Sequence, residues 1–99
     1  MENCACERCK LTPRATDEKA KLTGRLNRIS GQLNGVKKMI EDDRYCEDVL
    51  IQLSAIDKAV KSLAAVILEE HMRTCITDKM LNGDINAVDE IVNLFRRFQ

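Results

Sequence analysis

Three residues in this 99-residue chain have the types and spacing to hold a soft metal ion: Cys46, His71 and Cys75. His71 and Cys75 stand at i and i+4, so on a helix both side chains leave the same face and can grip one ion. Cys46 lies 25 residues before His71. At 1.5 Å per residue, one straight helix would hold the two about 38 Å apart. An antiparallel copy of that helix removes the difficulty. With Cys46 of one chain opposite residues 71–75 of the other, the crossing falls near Ala59–Val60, and a two-fold axis generates two equivalent sites. Taken singly, each cysteine would read as a small core hydrophobe and the histidine as a satisfied side chain. It is the i, i+4 pair with a symmetry-compatible third donor that points to a metal.

Two thiolates and one imidazole also bear on which ion. Thiolates favour Cu(I), while Zn(II) generally wants a fourth ligand and nickel or cobalt usually recruits more nitrogen and oxygen. His71 is the only histidine of the chain. Three-coordinate Cu(I) fits this donor set best, with Zn(II) completed by water as the fallback. A second group, Cys4, Cys6 and Cys9 in Cys4-Ala5-Cys6-Glu7-Arg8-Cys9, is a candidate accessory soft-metal set and reads equally well as incidental.

The elements that must position these donors follow from apolar spacing. Thr16-Asp17-Glu18 offers a helix start with acids at the positive end of the dipole. Leu22, Leu26, Ile29, Leu33, Val36 and Ile40 then step by 4, 3, 4, 3, 4, which predicts a first helix ending near Asp42–Asp43. Gly24, Gly31 and Gly35 inside it cost about 1 kcal/mol each relative to Ala; they suggest close approach by another backbone, or equally are tolerated at that small loss. Val49, Leu53, Ile56, Val60, Leu63 and Ile67 repeat the spacing. This second stripe continues through His71 and Cys75 to a stop at Asn82-Gly83, a helix of roughly 35 residues and about 50 Å. A third helix begins near Asn86 with Val88, Ile91, Val92, Phe95 and Phe98. Residues 1–16 read as a disordered cysteine-bearing tail and 17–99 as the helical domain.

The expected fold is therefore all-α, with three helices per chain. A helix of that length outruns any partner its own chain supplies, so its stripe would stay wet in a monomer and self-association into an antiparallel helical bundle is expected. Composition agrees: 44% hydrophobic, 32% charged and 3% aromatic suits long amphipathic helices better than a sandwich or barrel. No apolar run approaches the roughly 18–20 residues of a membrane span and no signal segment is visible, so a cytoplasmic protein is expected. In that compartment five cysteines point to metal binding or redox sensing. The net charge of zero hides an asymmetry: Lys19, Lys21, Arg25, Arg28, Lys37 and Lys38 occur without an acid between them, and five acids crowd Glu41–Asp48. Such a stretch permits a local positive face for DNA, or simply a solvated helix face.

Over roughly residues 17–98 the sequence resembles the copper-sensitive operon repressors (CsoR), all-helical bacterial transcriptional regulators. The resemblance is carried by Arg25-Leu26-Asn27-Arg28-Ile29-Ser30-Gly31-Gln32-Leu33-Asn34-Gly35, by Arg44-Tyr45-Cys46 and by His71-Met72-Arg73-Thr74-Cys75. It implies a dimer of antiparallel dimers that binds operator DNA without a helix-turn-helix. It also implies that Cu(I), bound between subunits by Cys46, His71 and Cys75, releases copper-efflux genes from repression. Tyr45 and Glu90 match residues that hydrogen-bond around the ligating histidine, the latter on the assumption of a one-residue deletion after Gly83. Arg25, Arg28, Gln32 and Lys61 match positions used for DNA. Within this family nickel and cobalt sensors use extra histidines, formaldehyde sensors lack a counterpart of Cys75, and persulfide sensors lack the histidine. Copper is thus the first reading and a persulfide response the second. A copper storage or chaperone bundle would not require the acid-free cationic stretch. Catalysis by Cys46 and His71 is disfavoured because no phosphate loop or nucleophile elbow is visible.

Overall fold

The structure, a computed structural model, describes residues 14–98, and every regular element among them is helical. The order is α1 (Thr16–Glu41), α2 (Cys46–His71), a π-helical turn (Met72–Ile76), α3 (Thr77–Leu81) and α4 (Asn86–Arg96). No helix among the described residues is long and apolar enough to cross a membrane. The Cys4, Cys6 and Cys9 group lies outside the described residues. Thr16, the last residue of the expected tail and the expected helix start, is the first residue of α1. The helix is capped by the Ala15 backbone, whose carbonyl accepts from Lys19 N–H at 3.0 Å, rather than by a Thr16 side chain.

Two compact units divide the chain within α2. The first, Ala15–Leu63, joins α1 to the N-terminal part of α2. Its core is Ile29 and Val36 with Ile56 and Leu63, flanked by Leu22, Val49 and Ala59. The two stripes are thus split by position: Leu22, Ile29 and Val36 face inward, while Leu26, Leu33 and Ile40 remain exposed. Val49, Ile56 and Leu63 are likewise covered, and Leu53 and Val60 are exposed. Leu33 and Ile40 are 50% and 61% exposed, so each helix presents a second apolar seam that its own chain leaves bare. Among the described residues, a Cβ added at Gly24, Gly31 or Gly35 meets nothing within 4 Å, so no close approach is made at these glycines there.

The turn after α1 closes as a Schellman motif. Arg44 N–H donates to Met39 O at 2.9 Å, Asp43 N–H to Ile40 O at 3.1 Å, and Asp43 takes the left-handed conformation with φ 58°.

The second unit contains Arg14 and residues 64–98. Here the long second helix departs from expectation: the helical path continues to Leu81, but Met72–Ile76 forms a π-helical turn. Thr77 explains it. Both its N–H and its hydroxyl donate to Met72 O, five residues back, the hydroxyl at 2.7 Å. Thr74 Oγ1 also donates to Glu70 O at 2.8 Å, the kind of back-bonding that loosens helical hydrogen bonding. The run stops as expected at Asn82-Gly83, a second Schellman motif in which Gly83 has φ 89° and Asp84 N–H reaches Lys79 O at 2.9 Å. Asp84 Oδ1 accepts from Asn86 N–H at 3.0 Å and so starts α4, which packs on the π turn. Cys75, Ile76 and Ala87 are buried in this unit.

Candidate metal centre

His71 closes α2 and Cys75 sits in the π turn that follows. The turn places Glu90 of α4 against the imidazole: His71 Nε2 and Glu90 Oε2 are 3.0 Å apart. An ionised carboxylate only accepts, so the shared proton is on Nε2, and whenever the imidazole is neutral its lone pair is on Nδ1. The other Glu90 oxygen, Oε1, accepts from Lys79 Nζ at 2.6 Å. That hydrogen bond is the main reason the Glu90 carboxyl is held below the ordinary glutamate range. Burial opposes it, and the His71 hydrogen bond and the two neighbouring charges reinforce it.

Cys75 is buried, with Thr74 Oγ1 at 3.8 Å from its sulfur, and it is disulfide-bonded rather than a free thiol. Cys46, by contrast, is a free and exposed thiol at the first position of α2. It lines a shallow hollow of about 340 Å³ with Ile40, Asp43, Arg44, Val49 and Leu50. Tyr45, just before it, is exposed, and its carbonyl accepts from Val49 N–H at 3.2 Å to begin the helix. Among the described residues, no three His, Cys, Asp or Glu side chains assemble a metal site. Arg14 Nε lies 3.1 Å from Glu70 Oε1, which ties the chain just before α1 to the residue preceding His71.

The residues matched to DNA contacts fall in the first unit. Arg25, Arg28 and Gln32, at i, i+3 and i+7, share one face of α1. Arg25 Nη2 donates to Ser62 Oγ at 2.8 Å, which sets it beside Lys61 on α2. Lys61 is exposed and 3.3 Å from Asp57, and Arg28 is exposed. Gln32 Oε1 is buried without a hydrogen-bond partner. Gly24, Gly31 and Gly35 occupy a line opposite the apolar stripe, within about 40° of one another at 3.6 residues per turn. Lys21 and Arg28 run along one side of that line.

Sequence reasoning missed Lys79 and the Arg14–Glu70 pair. Lys79 and Glu90 are 11 residues apart on different helices, so no local spacing joins them. The two threonines at back-bonding positions, Thr74 and Thr77, were the only local signal for the π turn.

Residues 18–97 match the family described as metal-sensitive transcriptional repressors. The copper-sensing transcriptional repressor CsoR of Bacillus subtilis (strain 168) is 40% identical over 89 residues, covering 89% of this chain and 88% of the relative. The copper-sensing transcriptional repressor RicR of Mycobacterium tuberculosis (strain ATCC 25618 / H37Rv) is 43% identical over 72 residues, 73% of this chain and 75% of the relative. Among solved structures, the Cu(I)-bound CsoR of Geobacillus thermodenitrificans NG80-2 superposes with TM-score 0.80 at 36% identity, covering 89% and 93% of the two chains. The nickel-responsive regulator InrS superposes with TM-score 0.70 at 33% identity, covering 90% and 98%. An all-helical chain with a His71–Glu90 pair beside a buried cysteine, matched over nearly its whole described length, belongs to the metal-sensitive transcriptional repressor family.

Proposed function

We propose that this protein is a copper(I)-responsive repressor that binds operator DNA in its metal-free form and releases it when Cu(I) binds. Cys46 of one subunit would ligate with His71 and Cys75 of an antiparallel partner. The observation that carries this reading is the His71 Nε2 contact to Glu90 at 3.0 Å, because it spends one ring nitrogen and leaves Nδ1 for an ion. Two sulfurs and one nitrogen suit monovalent copper, with Zn(II) as a surrogate. The only histidine of the chain is already in that set, which weighs against nickel. With Cys75 in a disulfide, loading would need an external thiol that exchanges with that bond and frees the Cys75 thiolate.

The bare seams at Leu26, Leu33, Ile40, Leu53 and Val60 are surfaces for a second copy, and a homo-oligomer built as a dimer of dimers would cover them. The stripe of Arg25, Arg28 and Gln32, with Lys61, is the face offered to phosphates, with glycines that let the duplex backbone approach α1. Tyr45 would support the histidine from the partner chain. Cys4, Cys6 and Cys9 would hold additional Cu(I).

The test is operator-fragment affinity measured anaerobically on reduced protein, with and without Cu(I). A coupling of about 1–3 kcal/mol predicts a roughly 5–150-fold weaker complex with metal. Equal affinities would remove the proposal. A second reading is a repressor that responds to persulfides through Cys46, an exposed free thiol, and Cys75, which already takes part in disulfide chemistry although not with Cys46. The same assay with a polysulfide donor in place of copper separates the two.

A further inference from the structure

The second oxygen of Glu90 has a purpose that the metal reading leaves unassigned. Lys79 Nζ is 2.6 Å from Oε1 while His71 Nε2 is 3.0 Å from Oε2, so one carboxylate is held from both sides. Its two partners come from opposite ends of the π turn, His71 at the residue before it and Lys79 in α3 just after it. The Lys79 side chain is only 18% exposed, which makes this an enclosed contact rather than a pair of loose surface charges. A carboxylate tied at one oxygen can swing about its own axis, whereas one tied at both presents a fixed lone pair to the ring. A fixed acceptor at Nε2 selects one of the two neutral imidazole tautomers and fixes the plane of the ring.

We propose that Lys79 is a positioning residue for His71. Acting through Glu90, it holds the neutral imidazole as the Nε2–H tautomer with Nδ1 presented outward. The proposal rests on the reading of His71 as a metal ligand, but its first consequence concerns the metal-free protein. Without Lys79 the carboxylate is free to rotate away from the ring, the Nδ1–H tautomer becomes populated, and part of the protein offers the ion a protonated nitrogen. Arginine at the same position can reach the same oxygen and keeps the positive charge.

Because the chain has a single histidine, 15N-histidine labelling reports on this ring alone. Long-range 1H–15N correlation spectra of the reduced, metal-free protein are recorded at a pH where the imidazole is neutral. The set comprises wild type, Lys79→Met, Lys79→Arg and Glu90→Gln, with circular dichroism verifying the helical fold of each. The expected result is a predominantly Nε2–H pattern in wild type and Lys79→Arg, and a mixture of tautomers in Lys79→Met. Cu(I) affinity, measured against a competing chelator, falls about tenfold in Lys79→Met, at the lower end of the range for lost support around a metal ligand, and returns in Lys79→Arg. An unchanged tautomer pattern in Lys79→Met overturns the proposal, whatever the affinity does. A shifted pattern in a protein whose wild type binds no Cu(I) leaves the positioning role standing and removes the ligand reading instead.

Discussion

Thr77 Oγ1 donates to Met72 O across 2.7 Å, five residues back, and so spans the π turn that carries Cys75 just after His71. An α-helix rotates about 100° per residue, so i and i+4 differ by about 40°. A π turn rotates less per residue and changes the direction in which the second donor points. Removing the hydroxyl with Thr77→Val is expected to lower stability by about 0.5 kcal/mol, the low end for an exposed hydrogen bond, and to weaken Cu(I) binding. Thr77→Ser keeps the hydroxyl and should retain both. Urea midpoints and chelator competition on the pair check this, and equal metal affinity in Val and Ser variants would disconnect the π turn from the site.

Cys46→Ala separates sensing from DNA recognition. Cys46 is exposed and lies outside the Ile29, Val36, Ile56 and Leu63 core, so its loss costs little packing. Metal-free operator affinity should stay within about twofold of wild type, while the roughly 5–150-fold weakening by Cu(I) disappears. Fluorescence anisotropy with a labelled operator duplex measures both.

Arg28→Ala and Arg25→Ala should differ in kind. Arg28 is exposed, so its removal is expected to weaken operator binding and to make the salt dependence shallower by about one unit of slope, as for one phosphate contact. Arg25 also donates to Ser62, so its removal should lower thermal stability as well as affinity. Binding titrations across a salt series, with a melting curve for each variant, distinguish them.

The two Schellman turns predict opposite responses to the same small residues. Gly83, at φ 89°, should lose about 1 kcal/mol as Gly83→Ala, because a Cβ is strained there. Asp43, at φ 58°, already bears that strain, so Asp43→Gly should be neutral or modestly stabilising. Chemical denaturation of both variants is the measurement. A stabilised Gly83→Ala would contradict the left-handed geometry.

Copper stoichiometry tests the N-terminal cysteines. Under anaerobic titration, wild type should bind more than one Cu(I) per chain, and the triple variant Cys4→Ser, Cys6→Ser, Cys9→Ser should bind one with unchanged affinity at the remaining site. Equal stoichiometry would leave the tail without a metal role.

The elements were legible where one-dimensional spacing decides them. Alternating steps of 3 and 4 located α1 to within two residues of its end, and Asn82-Gly83 marked where the second helical run stops. What escaped was set by contacts distant in sequence or by side-chain hydrogen bonds. The π turn follows from two threonine hydroxyls rather than from the apolar stripe, which continues through it. Lys79 meets Glu90 only because Gly83 reverses the chain, and Arg14 meets Glu70 across 56 positions. Tyr45, Glu90 and the DNA roles of Arg25, Arg28, Gln32 and Lys61 rest on resemblance, whereas the cationic stretch itself is visible in the charge pattern. Among them, the local hydrogen bond of Glu90 to His71 supplies the physical reason for its presence.

Helix α4 is apolar on two sides. Ala87, Ile91 and Leu94 turn toward its own chain on the side that also carries Glu90, while Ile85, Val88, Val92 and Phe95 form an exposed line about 120° away. An 11-residue rod gripped by a carboxylate on one flank and greasy on the other is a lever. If Cu(I) binds at His71 as proposed, a shift of the imidazole would pass through Glu90 into this rod and reach whatever covers its bare flank.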